Sequence, residues 1–495
     1  MSSRQDRPRA AVLGYSGDHV SRGKWVFVRR VAVLAASACI AISVGAAGQA
    51  ASAAPGSNPH RSKPVLSPGS IKNVMVIDLE NEDYATTFLN TPGYLRDVLE
   101  PQGELLQNYY ATGHVSLDNY IAQVSGQAPN YATNSDCVGS GGAGAFSDVQ
   151  PGTLNPDQTT YPGQVDGQGC VYPASVQTIG DQLDTAHPNR KQPTWRVYAE
   201  DMGNDAARDG GQADPLGGTD CAHPVQTAGN GVDNSNSAEA ADQYATRHNP
   251  GMYFHSIIDN TARCNSHVVP LGTVTVGTGG APDTFSGHLA KDLAKPATTP
   301  MFSFISPNLC NDGHDSTCAG SNTEGGKTGG LTAANSWLSH WLPMILNSPA
   351  YLSGHMLVVI TADEGNIIQS SAGDHETAGP GNANPGYSPL LNTPIPSFGG
   401  KTYYQVLGLN GLTANTPPTA GTMPGGGQIG ALLLNPNYVH AGTVDSTGSY
   451  NHYSALRTYE DLLGIHTGGS DGQGHLGFAS TATSFGSDVF SKPGS

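Results

Sequence analysis

Residues 72–79 read KNVMVIDL, and residues 355–362 read HMLVVITA. Both runs are rich in β-branched residues and almost continuously apolar. A strand that is apolar on both faces belongs inside a sheet covered on both sides, as in parallel α/β proteins. Working outward, residues 194–199 (TWRVYA), 301–306 (MFSFIS) and 429–434 (IGALLL) are further strand candidates. Helical spacing of apolar residues lies between them, over 93–100, 117–125, 175–186, 284–294, 331–347 and 453–463. Strands alternating with helices predict an α/β fold with a mostly parallel central sheet and helices on both faces. Sites in such sheets form beyond the carboxyl ends of the strands.

The stretches 134–170, 203–236 and 365–428 interrupt this pattern and are rich in Gly, Asn and Pro. They are too long for plain connectors, so the expectation is loops pinned by disulfides or shaping a cleft. At the N-terminus, Lys24, Arg29 and Arg30 precede the uncharged apolar run 31–47, and Ala51-Ser52-Ala53 follows it. That order predicts a secretory signal cleaved near Ala53. The run is short for a membrane span of ~20 apolar residues, so no stable membrane insertion is expected.

Removing residues 1–53 takes seven basic and two acidic groups from a chain of net charge −17. The remainder holds 16 basic and 38 acidic groups, a net −22. Such a surface repels nucleic acid and anionic bilayers. An anionic substrate would need a local reversal of the field, which a bound cation supplies. Outside the signal, six cysteines remain: Cys137, Cys170, Cys221, Cys264, Cys310 and Cys318. An even number in an exported chain predicts disulfides, and short loops favour the sequential pairs 137–170, 221–264 and 310–318.

The chemistry-bearing residues follow the strands. The first strand runs into Glu80-Asn81, and the strand at 355–362 runs into Asp363-Glu364-Gly365. Acidic groups at two buried strand ends either share a cation or serve as ordinary turn residues. Ser116 precedes a helical pattern and is either a cap or a hydroxyl presented where backbone N–H groups favour anions. In 306–318 (SPNLCNDGHDSTC), Asn308, Asp312, His314 and Asp315 crowd a loop that Cys310 and Cys318 could clamp. This is either a ligand source or a polar turn. His452 stands before the last amphipathic pattern, and His375 is a weaker candidate within AGDHETAG.

The ordered set ENEDY, HVSLDNYIAQVSG, FSFISPNLCNDGHD, LVVITADEG and YNHYSALRTYEDLLG resembles the secreted phosphoesterase family of bacterial acid phosphatases and phospholipases C, within the alkaline-phosphatase-like superfamily. Its nearest likeness is to the exported acid phosphatases that include phosphatidylinositol 3-phosphatases. Two departures stand out. Glu82-Asp83-Tyr84 replaces a His-Ser-Tyr continuation, and Val115 and Asp118 replace two prolines around the nucleophile.

The resemblance implies metal-assisted phosphoryl transfer with Ser116 as nucleophile. It implies divalent metal ligands at Glu80, Asn81, Asp363, Glu364 and His314. His114 and His452 become candidate proton donors to the leaving alcohol, and Asn119 a donor to a phosphoryl oxygen. Asn308, Asp312 and His375 are possible helpers at a second site. The implied layout is a signal peptide over 1–53, a flexible segment over 54–70, and one phosphoesterase domain over 71–466. That domain carries a loop-rich insertion at 380–428, and a Gly/Ser-rich tail spans 467–495. The implied substrate is a small phosphomonoester. A phospholipid headgroup diester is the rival, and a non-catalytic binding protein on a degenerate scaffold is the alternative of another class.

Overall fold

Eight strands form the central sheet: β1 (Asn73–Leu79), β2 (Glu104–Leu106), β3 (Trp195–Ala199), β4 (Val268–Pro270), β5 (Phe302–Ser306), β6 (Met356–Ala362), β7 (Ala431–Leu434) and β8 (Thr443–Asp445). Their spatial order is β4-β3-β5-β1-β6-β7-β2-β8. All neighbours run parallel except β7, which is antiparallel to both β6 and β2. This computed structural model describes residues 66–113, 115–130, 132–137, 144–159, 161–365 and 426–491, with backbone alone at 403–405 and 412–414. The signal segment 1–53, residues 54–65, His114, His375 and nearly all of the insertion 380–428 lie outside the described residues.

The continuous apolar runs are the buried middle of the sheet. Every residue of β1, β3, β5, β6 and β7 is buried. The two runs that open the sequence analysis pair directly, from Asn73 opposite Met356 to Leu79 opposite Ala362. Helices flank the sheet, chiefly α1 (Ser116–Ser125), α2 (Ile179–Ala186), α3 (Gly330–Leu346) and α4 (His452–Leu462). A capping box between Thr178 and Asp181 starts α2. α1 is buried on all sides and ends at Gly126, whose φ of 68° only glycine adopts easily. A side chain there would also strike the carbonyl of Leu476.

Three expectations need correction. Strands β2, β4 and β8 were not foreseen, because three residues are too few to show a period. The pattern at 284–294 divides: Thr284–Ser286 pairs with Thr273–Thr275, and the helix begins at His288. Residues 467–491, expected as a tail, are packed. Leu476, Phe478, Phe485, Val489 and Phe490 are buried, and Arg457 of α4 donates to the carbonyls of Ala479 and Ser480. A few large apolar side chains outweigh the Gly/Ser composition there.

The three disulfides join Cys137 to Cys170, Cys221 to Cys264 and Cys310 to Cys318, as loop length predicts. They close irregular segments on themselves or, for Cys221, on the helix Thr261–His267. The Cys221–Cys264 bridge closes the longest loop, 43 residues apart in sequence. Replacing both cysteines with serine should cost about 4 kcal/mol through the freed unfolded chain. Scanning calorimetry of the double variant measures this, and an unchanged melting temperature would show that packing alone holds the loop.

Candidate active site

The site forms where β5, β1 and β6 end side by side. Because β1 and β6 are parallel and in register, Glu80 and Asp363 leave the sheet together. The Asp363 N–H donates to the Leu79 carbonyl at 2.9 Å. The Glu80 N–H donates to the Asp312 carbonyl, also at 2.9 Å, so the loop after β5 joins the same edge. Asn308 builds that loop as a turn residue. Its Oδ1 accepts from the N–H groups of Cys310 and Asn311, and its Nδ2 donates to Asp201.

Ser116 is the first residue of α1, with Val115 in the cap position. The cap alternative is therefore excluded. The Ser116 hydroxyl instead donates to Glu80 Oε2 at 2.9 Å. Tyr120, one helical turn on, donates to the other oxygen, Oε1, at 2.6 Å. Tyr120 also stacks on His248, with ring centroids 5.3 Å apart and planes 7° from parallel. His248 Nε2 lies 3.2 Å from Glu80 Oε1, and its Nδ1 lies 3.6 Å from Asp312 Oδ2. Ser306, at the end of β5, fixes the His248 backbone by donating to its carbonyl at 2.6 Å.

Asp363 Oδ1 accepts the N–H groups of Asn81 and Glu364 at 3.1 and 2.6 Å. Asn81 holds a φ of 54°, the left-handed backbone that turns its N–H toward that carboxylate. Ser116, Asn81, Glu82, Glu364 and His314 line one cavity of about 470 Å³, together with Val115, Asp136, Arg247 and Leu331.

The electrostatics of this edge are unbalanced. Burial, followed by Asp363 and Asp312, holds Glu80 well above the usual carboxylate range. Burial and Glu364 push Asp363 up to about 8, and burial pushes Asp312 up to about 7. Glu364 is likewise raised, by burial and then by Asp136. Asp363 Oδ2 and Asp312 Oδ2 are buried and accept no hydrogen bond among the described residues. Buried carboxylate oxygens without a donor need either a proton or a cation. The donor set, carboxylates beside an imidazole, fits a divalent metal ion.

Several expected residues take other tasks. Asn119 spends its side chain on the preceding loop. Its Oδ1 accepts from the N–H groups of Thr112 and Gly113 at 2.9 and 3.0 Å, and its Nδ2 donates to the Gly113 carbonyl. Its second N–H reaches the Val115 carbonyl at 3.4 Å, so the side chain shapes the segment before Ser116. His452 is fully buried, which lowers it to about 4. Its Nε2 donates to the Asp363 carbonyl at 2.7 Å, and its Nδ1 accepts from Tyr109 at 3.2 Å. A neutral ring with both nitrogens engaged is a brace, not a proton donor to substrate. His314 does line the cavity, and its bond to Asp315 at 2.8 Å raises its pKa.

His248, Arg247 and Asp136 are site residues that the sequence analysis did not single out. The signal available for the first two was a compact Arg-His-Asn-Pro run, 247–250, between apolar stretches. A separate cluster capable of coordinating a metal ion lies at Asp214, Asp220 and His288, with one ligand atom from each within 4.8 Å of the others. There His288 already bridges Arg196 and Asp214 at 2.8 Å on either side, so a guanidinium supplies the positive charge. Among the described residues, no hydrogen-bond donor meets Asp363 Oδ2 or Asp312 Oδ2.

The phosphoesterase family model matches residues 95–466. The phosphate-repressible acid phosphatase of Penicillium chrysogenum is 26% identical over 288 residues, covering 58% of this chain and 47% of that protein. An acid phosphatase of Aspergillus fumigatus is 23% identical over 273 residues, covering 55% of this chain and 41% of its own length. This chain thus spans less than half the length of these curated relatives. A solved structure from the alkaline phosphatase superfamily, from Vibrio parahaemolyticus, is 11% identical with a TM-score of 0.36, covering 81% of this chain and 68% of that one. Among the described residues, no helix is long and apolar enough to cross a membrane.

The raised carboxyls set the pH response of the metal-free protein. Asp363 and Asp312 keep protons up to about 8 and about 7, whereas in the unfolded chain they release them near about 4. Between those limits the folded state binds more protons than the unfolded state. Stability is therefore lost as pH rises through this window. Melting temperature after chelator treatment should fall steadily from pH 5 to pH 9. Added divalent cation should restore it most at the alkaline end. A flat profile would show that these carboxyls titrate as surface groups.

Proposed function

We propose that this chain, which belongs to the phosphoesterase family, is an exported, metal-dependent phosphomonoesterase that works through a phosphoserine at Ser116. The observation that carries this reading is the Ser116 hydroxyl at the mouth of a buried helix, 2.9 Å from Glu80 and open to the cavity. Likeness to acid phosphatases supports a monoester substrate. Three disulfides support export to an oxidising compartment. The resemblance of the motifs to the branch that includes phosphatidylinositol 3-phosphatases makes a lipid-linked monoester one substrate to test.

The residues divide the work as follows. Ser116 Oγ attacks phosphorus while its proton passes to Glu80 Oε2. Burial makes ionised Glu80 a stronger base than a surface glutamate. As the bond from phosphorus to the leaving oxygen breaks, His314 gives that oxygen a proton. Asp315 suits it to this role by keeping the ring protonated to higher pH. In the second half, neutral His314 takes a proton from water, the water oxygen bonds to phosphorus, and Ser116 leaves with the proton from Glu80. Tyr120 holds Glu80 in place throughout and stacks on His248. A divalent cation held by Asp363, Glu364 and Asp312, with Asn81 and His248 beside them, would neutralise phosphoryl oxygens and ease formation of the serine alkoxide.

Turnover of p-nitrophenyl phosphate should exceed that of p-nitrophenyl phosphorylcholine. Ser116→Ala should lower kcat by about 10⁴-fold or more without unfolding the protein. Mass spectrometry after an acid quench should find phosphate on Ser116. Turnover of the choline diester alone would assign a phospholipase C activity instead. Inertness toward every phosphoester would leave a binding protein on this scaffold.

A further inference from the structure

The cavity at Ser116 is walled by Glu82, Asp136 and Glu364, in a chain of strongly negative charge. Against these, its lining holds two basic side chains, Arg247 and His314. Arg247 is the permanent cation. Its side chain is 11% exposed. Burial disfavours its charge, but Asp136 and Glu80 more than offset that and keep it protonated.

Asp136 explains how the guanidinium is held. Its Oδ1 accepts the Leu117 N–H at 2.9 Å, in the first turn of α1. Its Oδ2 faces Arg247 Nε at 3.4 Å. Asp136 has a left-handed φ of 49° and adjoins Cys137, which is bridged to Cys170. One carboxylate thus ties the arginine to the start of the helix that carries Ser116.

The pair is loose, since charge-assisted bonds close to about 2.7–2.9 Å. Among the described residues, the one hydrogen bond of the guanidinium runs from Nη1 to the Asn236 carbonyl at 3.0 Å. Most of its donor capacity is left for something else. A group that merely neutralised Asp136 would close on it and would not need to line the cavity.

We propose that Arg247 binds the non-bridging oxygens of the substrate phosphoryl group, and that Asp136 is a positioning residue that aims it. This rests on the phosphoesterase reading of the site. The planar guanidinium fork matches two phosphoryl oxygens, which a lysine ammonium cannot do. The same ligand chemistry includes inorganic phosphate, the product.

The test compares Arg247→Gln, Arg247→Lys and Asp136→Asn with the native protein, all carrying metal. Calorimetry measures Kd for inorganic phosphate, kinetics with p-nitrophenyl phosphate separate KM from kcat, and thermal melts check folding. Arg247→Gln should raise both Kd and KM about ten- to a hundredfold. Arg247→Lys should recover part of that loss, and Asp136→Asn should raise KM several-fold while keeping the charge. If Arg247→Gln does not fold, Arg247→Lys decides the matter, because it keeps the charge and removes the fork. Unchanged phosphate Kd in a folded Arg247 variant would overturn the proposal. So would a fall in kcat with KM and Kd unmoved, which marks a structural role. A native protein that turns over no phosphoester would defeat the functional reading instead. The phosphate Kd values would still judge Arg247.

Discussion

Parallel, in-register pairing of β1 with β6 is the constraint on which the rest depends. Leu79 lies opposite Ala362, so the next residues, Glu80 and Asp363, emerge together at a buried edge. Apolar burial along both strands drives the pairing and places carboxyl groups where water cannot stabilise them. The surrounding structure reads as a response to that conflict. Ser116 and Tyr120 donate to Glu80, and backbone N–H groups of Asn81 and Glu364 donate to Asp363. Among the described residues, Asp363 Oδ2 and Asp312 Oδ2 are left without a hydrogen-bond donor.

Ser116, the proposed nucleophile, is held from several independent directions. α1 is buried throughout, so its position is set by packing rather than by surface contacts. Asn119 shapes the chain before it, and Asp136 satisfies its first turn. Behind the carboxylates, His452 and Tyr109 hold the Asp363 carbonyl. For the proposed reaction, such bracing would keep the reacting groups in place without reorganisation, which is where most of the rate in phosphoryl transfer arises.

Much of the fold was legible because buried strands write themselves as apolar runs. All five long strands and the principal helices lie within a few residues of their expected places. Strands of three residues left no trace, and the packed segment 467–491 was hidden by its glycines and serines. At the site, residues adjoining strand ends were legible, since a strand predicts where its successor must emerge. His248 and Arg247 were not, because the 203–267 region reaches the site through a fold-back that no local period encodes. His452 was visible as a candidate, but its role depends on which atoms its ring nitrogens meet.

The sequence by itself determined the α/β class, the disulfide pairs and the identity of Ser116, Glu80 and Asp363 as neighbours of strand and helix ends. These follow from local rules: apolar periodicity, loop length and residue order. Only the tertiary structure decided which oxygens are satisfied and which are not. It turned Asn119 and His452 from chemical groups into braces, brought Arg247 to the cavity wall, and set His248 between Glu80 and Asp312. The physical reason is that burial and hydrogen-bond partners are properties of three-dimensional neighbours. A carboxylate oxygen goes without a donor only where the folded chain around it withholds one.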